Sequence, residues 1–96
     1  MKMPGSKFSI EYHPLVISED IPKLSKIWQK RIKESIETKL STRPEIFGQP
    51  LRQNLKGYRK LRVGDYRIIF KVNGRNIYIL LIEHRSVVYR EIQRRN

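Results

Sequence analysis

The sequence predicts an α+β domain, a small antiparallel sheet with two N-terminal helices packed on one face. Three observations carry that expectation. Residues 57–72 alternate apolar and basic side chains around Val63-Gly64-Asp65, as two strands joined by a tight turn would. Asn73-Gly74 then leads into a third apolar run, so the sheet continues as a three-stranded meander. Upstream, Leu24, Trp28, Ile32, Ile36 and Leu40 recur at the spacing of one apolar helix stripe.

Residues 1–6 hold Pro4-Gly5-Ser6 without periodicity and read as a loose leader to one domain spanning 1–96. Phe8, Ile10 and Tyr12 alternate with Lys7, Ser9 and Glu11, an N-terminal strand. Pro14 closes that strand and opens a helix, with Val16, Ile17, Ile21 and Leu24 on one side and Ser18, Glu19 and Asp20 on the other. Pro22 cannot occupy an unbroken helix interior, so a break is expected between Asp20 and Ser25, either of which can serve as an N-cap. The second helix carries the main stripe, with Ile27 beside it and Trp28 read as core. Residues 45–53 read as a connecting loop that packs down through Ile46, Phe47 and Leu51.

In the hairpin, Tyr58, Lys60 and Arg62 share one face, while Arg59, Leu61 and Val63 share the other. After the turn, Tyr66, Ile68, Phe70 and Val72 alternate with Arg67, Ile69 and Lys71. Residues 76–83 are almost continuously apolar, which marks a central strand covered on both faces. His84-Arg85-Ser86 ends it, and the remainder reads as a short C-terminal helix or tail.

Twenty-one Lys and Arg against nine acids leave a net charge of +12. Such an excess opposes folding by self-repulsion and attracts polyanions, nucleic acid first and an acidic protein partner second. A basic surface with no role is the bland alternative, but +12 exceeds what solubility asks of a small domain. There is no cysteine, which excludes disulfides and thiolate metal sites and makes the cytosol the expected compartment. No apolar run is long enough to span a bilayer, so no membrane partner is expected. His13 and His84 lack zinc-helix spacing, and neither a phosphate-binding glycine loop nor a serine elbow occurs. No metal or small-molecule cofactor is therefore expected.

What remains is a group of cations with aromatic members: Lys60, Arg62, Arg67, His84, Arg85 and Tyr89. Arginine holds a phosphate bidentately and stabilises charge building on its oxygens. Lysine, histidine and tyrosine can move protons. RNA supplies its own nucleophile in the 2′-OH. A strand arginine is ordinarily a solvated charge, however, and on composition alone plain nucleic-acid binding outranks catalysis.

The run Leu55-Lys56-Gly57-Tyr58-Arg59-Lys60-Leu61-Arg62-Val63-Gly64-Asp65-Tyr66-Arg67-Ile68-Ile69-Phe70, followed by His84-Arg85-Ser86-Val87-Val88-Tyr89-Arg90, resembles the RelE/ParE toxin superfamily. These are the toxic halves of bacterial and archaeal toxin–antitoxin pairs. The resemblance covers nearly the whole chain and implies a microbial-ribonuclease-type fold. It also implies a metal-independent endoribonuclease that cleaves mRNA in the ribosomal A site, with the 2′-OH attacking the adjacent phosphate. By that likeness Arg67 and Arg85 would hold the scissile phosphate. Lys60 would be the base or charge stabiliser, Tyr89 would orient substrate or assist proton transfer, and His84 would be a proton donor. Lys56, Arg59 and Arg62 would bind RNA. Two departures leave the base open: Tyr58 stands where a second lysine is common, and Glu83 stands beside His84. The implied partners are the ribosome, mRNA and a cognate antitoxin with an acidic binding segment. ParE-type inhibition of DNA gyrase, or an inactive member that binds only its antitoxin, are the alternatives on the same fold.

Overall fold

A computed structural model describes residues 8–95; the leader and Lys7 lie outside this range. Five strands form one sheet in the order β1-β5-β4-β3-β2: β1 is Ser9–Tyr12, β2 Gln49–Pro50, β3 Arg59–Val63, β4 Tyr66–Asn73 and β5 Asn76–His84. The meander β3-β4-β5 is antiparallel as expected. Strand β1, however, runs parallel to β5, pairing Ser9 with Asn76 through Tyr12 with Ile79, so the sheet is mixed. The helices carry the chain from the β1 edge of the sheet to the β2 edge, and the meander then brings β5 back beside β1 in the same direction.

The first helical segment, α1, covers 14–23 as a π-turn over Val16–Asp20 followed by Ile21–Lys23. It stops at Leu24, whose backbone is extended, and helix α2 starts at Lys26 with Ser25 as its N-cap. Pro22 therefore sits in the last turn of α1, after the widened turn, and the break falls within the expected window. Asp20 is helical and caps nothing. Helix α2 runs Lys26–Ser35 and continues as a π-turn over Ile36–Leu40. Leu24, Ile32, Ile36 and Leu40 are buried against Leu61, Ile68, Phe70, Ile77, Ile79 and Ile82. Ile27 is 68% exposed, because it lies one residue, about 100°, off the stripe. Ile17 is likewise turned outward.

The expected loop at 45–53 holds structure of its own: a short helix α3, Pro44–Phe47, and strand β2, which pairs antiparallel with β3. Ile46 and Phe47 remain exposed, and only Leu51 of the three apolar residues packs down. Between α3 and β2 the chain passes so close to Phe70 that a Cβ on Gly48 would lie 2.3 Å from its ring.

The opposite face of the sheet is also covered. Helix α4, Val88–Arg95, places Val88 and Ile92 on Ile69, Leu80 and Leu81, with Leu51, Leu55, Tyr58 and Tyr78 around them. The core is thus two clusters separated by the sheet. A bulge in β5 links them: Ile69 faces Leu81 and Phe70 faces Ile79, so Leu80 is the extra residue. It reverses the alternation of the strand's last residues. Ile82 returns to the α1–α2 side, Glu83 comes opposite Arg67, and His84 comes opposite Tyr66.

Candidate functional site

The hairpin turn between β3 and β4 is the local frame of the site. Val63 pairs with Tyr66, leaving Gly64-Asp65 as the two connecting residues. Gly64 has φ +59, and a Cβ there would lie 2.4 Å from the Trp28 ring. Both the left-handed backbone and the overlying indole require glycine. Trp28 in turn lies 5.0 Å from the Tyr66 ring and carries the Arg31 guanidinium at 4.8 Å. The turn is held from below by packing, which fixes the residues that flank it.

On the α4 side of the sheet, Arg62 and Arg67 are direct cross-strand partners. Like charges in that position are destabilising, by a few tenths to about 1 kcal/mol. Lys60 is two residues before Arg62 on the same face, and its Nζ donates to the Tyr89 hydroxyl at 2.6 Å. The Lys60 ammonium also lies 5.4 Å from the Tyr89 ring. Arg67 Nη1 donates to the carbonyls of Gly64 and Tyr66, at 3.0 and 2.9 Å. Arg85 reaches the same turn from β5: its N–H donates to the Asp65 carbonyl at 2.8 Å, and its Nε lies 3.4 Å from the Asp65 carboxylate. Arg67 and Arg85 thus reach the same turn from β4 and from the end of β5. Both are anchored within the stretch Gly64–Tyr66.

His84 sits apart from Lys60 and Tyr89. Its ring packs edge-on against Tyr66 at 5.6 Å, on the α1–α2 side of the sheet. Its Nδ1 accepts the Ser86 N–H at 3.1 Å, which puts the proton of the neutral ring on Nε2 and makes that nitrogen a donor. Among the RNA-binding candidates, Arg62 and Lys56 are exposed. Arg59 lies on the other face of β3, and its Nη1 donates to the Gly48 carbonyl at 3.0 Å, tying β3 to the α3–β2 connection. Arg62 also borders two shallow clefts along β3, one with Arg31 and Lys39 of α2 and one with Phe47 and Lys60.

Two residues with a structural hold on this region escaped sequence reasoning. Asp20, placed by periodicity on the polar side of α1, is 2% exposed. Its Oδ2 accepts the Ile82 N–H at 3.0 Å and pairs with Arg95 Nη1 at 2.6 Å. Strand β1 stops pairing with β5 at Ile79, so α1 covers the edge that remains, and Asp20 satisfies a backbone donor there. A helical phase shifted by the π-turn over Val16–Asp20, and a partner 75 residues away, left no local signal.

No group of three or more His, Cys, Asp or Glu that could hold a metal occurs among the described residues. No helix among them is long and apolar enough to cross a membrane.

The family model described as "ParE toxin of type II toxin-antitoxin system, parDE" matches residues 11–89. The chain belongs to this family. It is 36% identical over 53 residues to Toxin RelG of Mycobacterium tuberculosis, covering 53% of this chain and 61% of that protein. It is equally identical over 53 residues to Toxin RelE of the same organism, covering 53% and 55%. The aligned region thus spans somewhat over half the length of these curated relatives. The fold superposes on a chain of the M. tuberculosis RelBE2 toxin–antitoxin complex with a TM-score of 0.78 at 24% identity, covering 88% of this chain and 99% of that one. A mutant of E. coli toxin RelE in the free state gives 0.63 at 14% identity, covering 92% and 97%. These likenesses establish the α+β architecture of RelE-like toxins for this RelE/ParE superfamily member.

Proposed function

We propose that this RelE/ParE-family protein is a toxin that cleaves mRNA in the ribosomal A site without a metal ion, and that a cognate antitoxin with an acidic segment neutralises it. The observation that carries the reading is the pairing of Arg62 directly with Arg67, with the Lys60–Tyr89 contact on the same face and Arg85 at the adjoining turn. An arrangement that costs stability when empty is repaid when a phosphate lies between its cations.

In the proposed reaction the 2′-oxygen forms a bond to the adjacent phosphorus as its proton leaves to a base. The bond to the 5′-oxygen breaks, and that oxygen takes up a proton. A cyclic phosphate and a 5′-OH result. Arg67 and Arg85 hold the non-bridging oxygens. Because Lys60 donates to the Tyr89 oxygen, the phenolic proton points elsewhere, which supports Tyr89 as a donor to the phosphate or the leaving group. His84, on the far side of the turn, suits a contact to the flanking nucleotide or a donor role from Nε2 rather than direct work beside Lys60.

The test is primer extension on mRNA incubated with ribosomes and the purified protein. Cuts within the A-site codon are expected, and intact message with stalled supercoiling by DNA gyrase would overturn the reading. That second outcome has support of its own, because the matching family model is that of ParE toxins.

A further inference from the structure

We propose that the buried Asp20–Arg95 ion pair is a positioning device, setting the roll and register of α4 so that Tyr89 meets Lys60. The proposal rests on the ribonuclease reading for its consequence in activity, but not for its geometry. Helix α4 carries Tyr89 in its first turn and Arg95 at its last described residue. Its apolar hold on the sheet is Val88 and Ile92, both fully buried. These are one helical repeat apart and form a single line of contact. Apolar contact is non-directional, so a helix resting on two aliphatic side chains can roll about that line at little cost.

Arg95 lies seven residues after Val88 on the same face, and its directional ion pair resists the roll that apolar contact permits. Its guanidinium meets Asp20 at 2.6 Å and the Leu80 carbonyl at 3.4 Å, and the side chains of the pair are 7% and 0% exposed. Asp20 is itself fixed, because Oδ2 also accepts from Ile82 N–H. Among the described residues Asp20 Oδ1 is buried with no hydrogen-bond partner. A buried pair of this kind contributes little net stability, and its best-attested use is to specify register. The tyrosine hydroxyl stands roughly 8 Å from the helix axis, so a roll of about 20° displaces it by about 3 Å. That exceeds any slack in a 2.6 Å contact.

The experiment uses Arg95→Met, Asp20→Asn, Lys60→Met and Tyr89→Phe in the full chain. Asp20→Asn keeps an acceptor for Ile82 N–H while removing the charge. With ring-labelled tyrosine, the Tyr89 NMR signal of Lys60→Met defines the disengaged ring. Arg95→Met and Asp20→Asn are expected to move the Tyr89 signal toward that position while the signals of Tyr66 and Tyr78 stay in place. A Tyr89 signal unchanged from the parent in both variants overturns the proposal, whatever the protein does to RNA. Cleavage provides the second arm. Arg95→Met is expected to lower the maximal rate by tenfold to on the order of a hundredfold, the scale of an ångström misplacement. In a Tyr89→Phe background the further loss is expected to fall below about twofold, since residues acting through one group are non-additive. Additive losses overturn positioning and leave only a structural role. If the parent cleaves nothing, the ribonuclease reading fails, and the NMR result still decides the lock.

Discussion

Gly64 shows how one residue can be demanded twice. Its φ of +59 disfavours any side chain, and the Trp28 ring occupies the space a Cβ would need. Gly64→Ala is expected to cost about 1–3 kcal/mol, from backbone strain and overpacking together, read as a lower melting temperature. An unchanged melting curve would show that Trp28 does not cover the turn. In the proposed reaction Arg67 and Arg85 serve chemistry instead. Arg85→Ala gives up a pair with Asp65 in which both side chains are more than half exposed, so folding should be nearly unaffected. Cleavage should fall on the order of a hundredfold for either Arg67→Ala or Arg85→Ala, the usual loss of a transition-state charge contact. Full activity in both would remove them from the site. Tyr12 offers a test by pH. Burial, with Glu37 nearby, raises its phenol above the ordinary value of 10.0. The folded chain therefore holds the proton more tightly than the unfolded one. The stability this provides is complete below about pH 10 and lost as pH rises through the folded value. A denaturation series from pH 9 to about 11 should fall more steeply for the parent than for Tyr12→Phe.

At the scale of elements, α4 decides whether the second face of the sheet is a core or a surface. Ile92 is fully buried under it, and Ile92→Ala is expected to cost about 2–5 kcal/mol. Protection of the α4 amides from hydrogen exchange should fall first, ahead of the β3-β4-β5 meander, because the helix has few other apolar anchors. Equal loss across the sheet would mean that α4 and the meander unfold as one unit. The β5 bulge works at the same scale. One extra residue, Leu80, reverses which side the strand's last residues face, and so separates His84 from Lys60 and Tyr89. Nothing in a run of six apolar residues announces it, since alternation is invisible where both faces are buried.

For the molecule as a whole, +12 on 96 residues should make any association with RNA strongly salt-dependent. If Lys56, Arg62, Arg67 and Arg85 each meet a phosphate, log K against log salt should slope by about −3 on single-stranded RNA. Arg62→Ala should reduce that slope by about 0.7, and Arg59→Ala should leave it unchanged. The arginines differ because Arg62 is exposed on the α4 face beside Arg67, whereas Arg59 lies on the other face of β3. A fluorescence-anisotropy titration at several salt concentrations measures both.

The meander, the faces of β3 and β4, the α2 stripe and the cationic residues flanking the turn were all legible in the chain. Each depends on spacing within a few residues, where side-chain period and turn chemistry act directly. The parallel entry of β1, the strand hidden in 45–53, the bulge at Leu80 and the burial of Asp20 beneath Arg95 were not. Those depend on which distant segments meet and on which backbone groups are left wanting a partner when they do, and such contacts leave no period in a sequence.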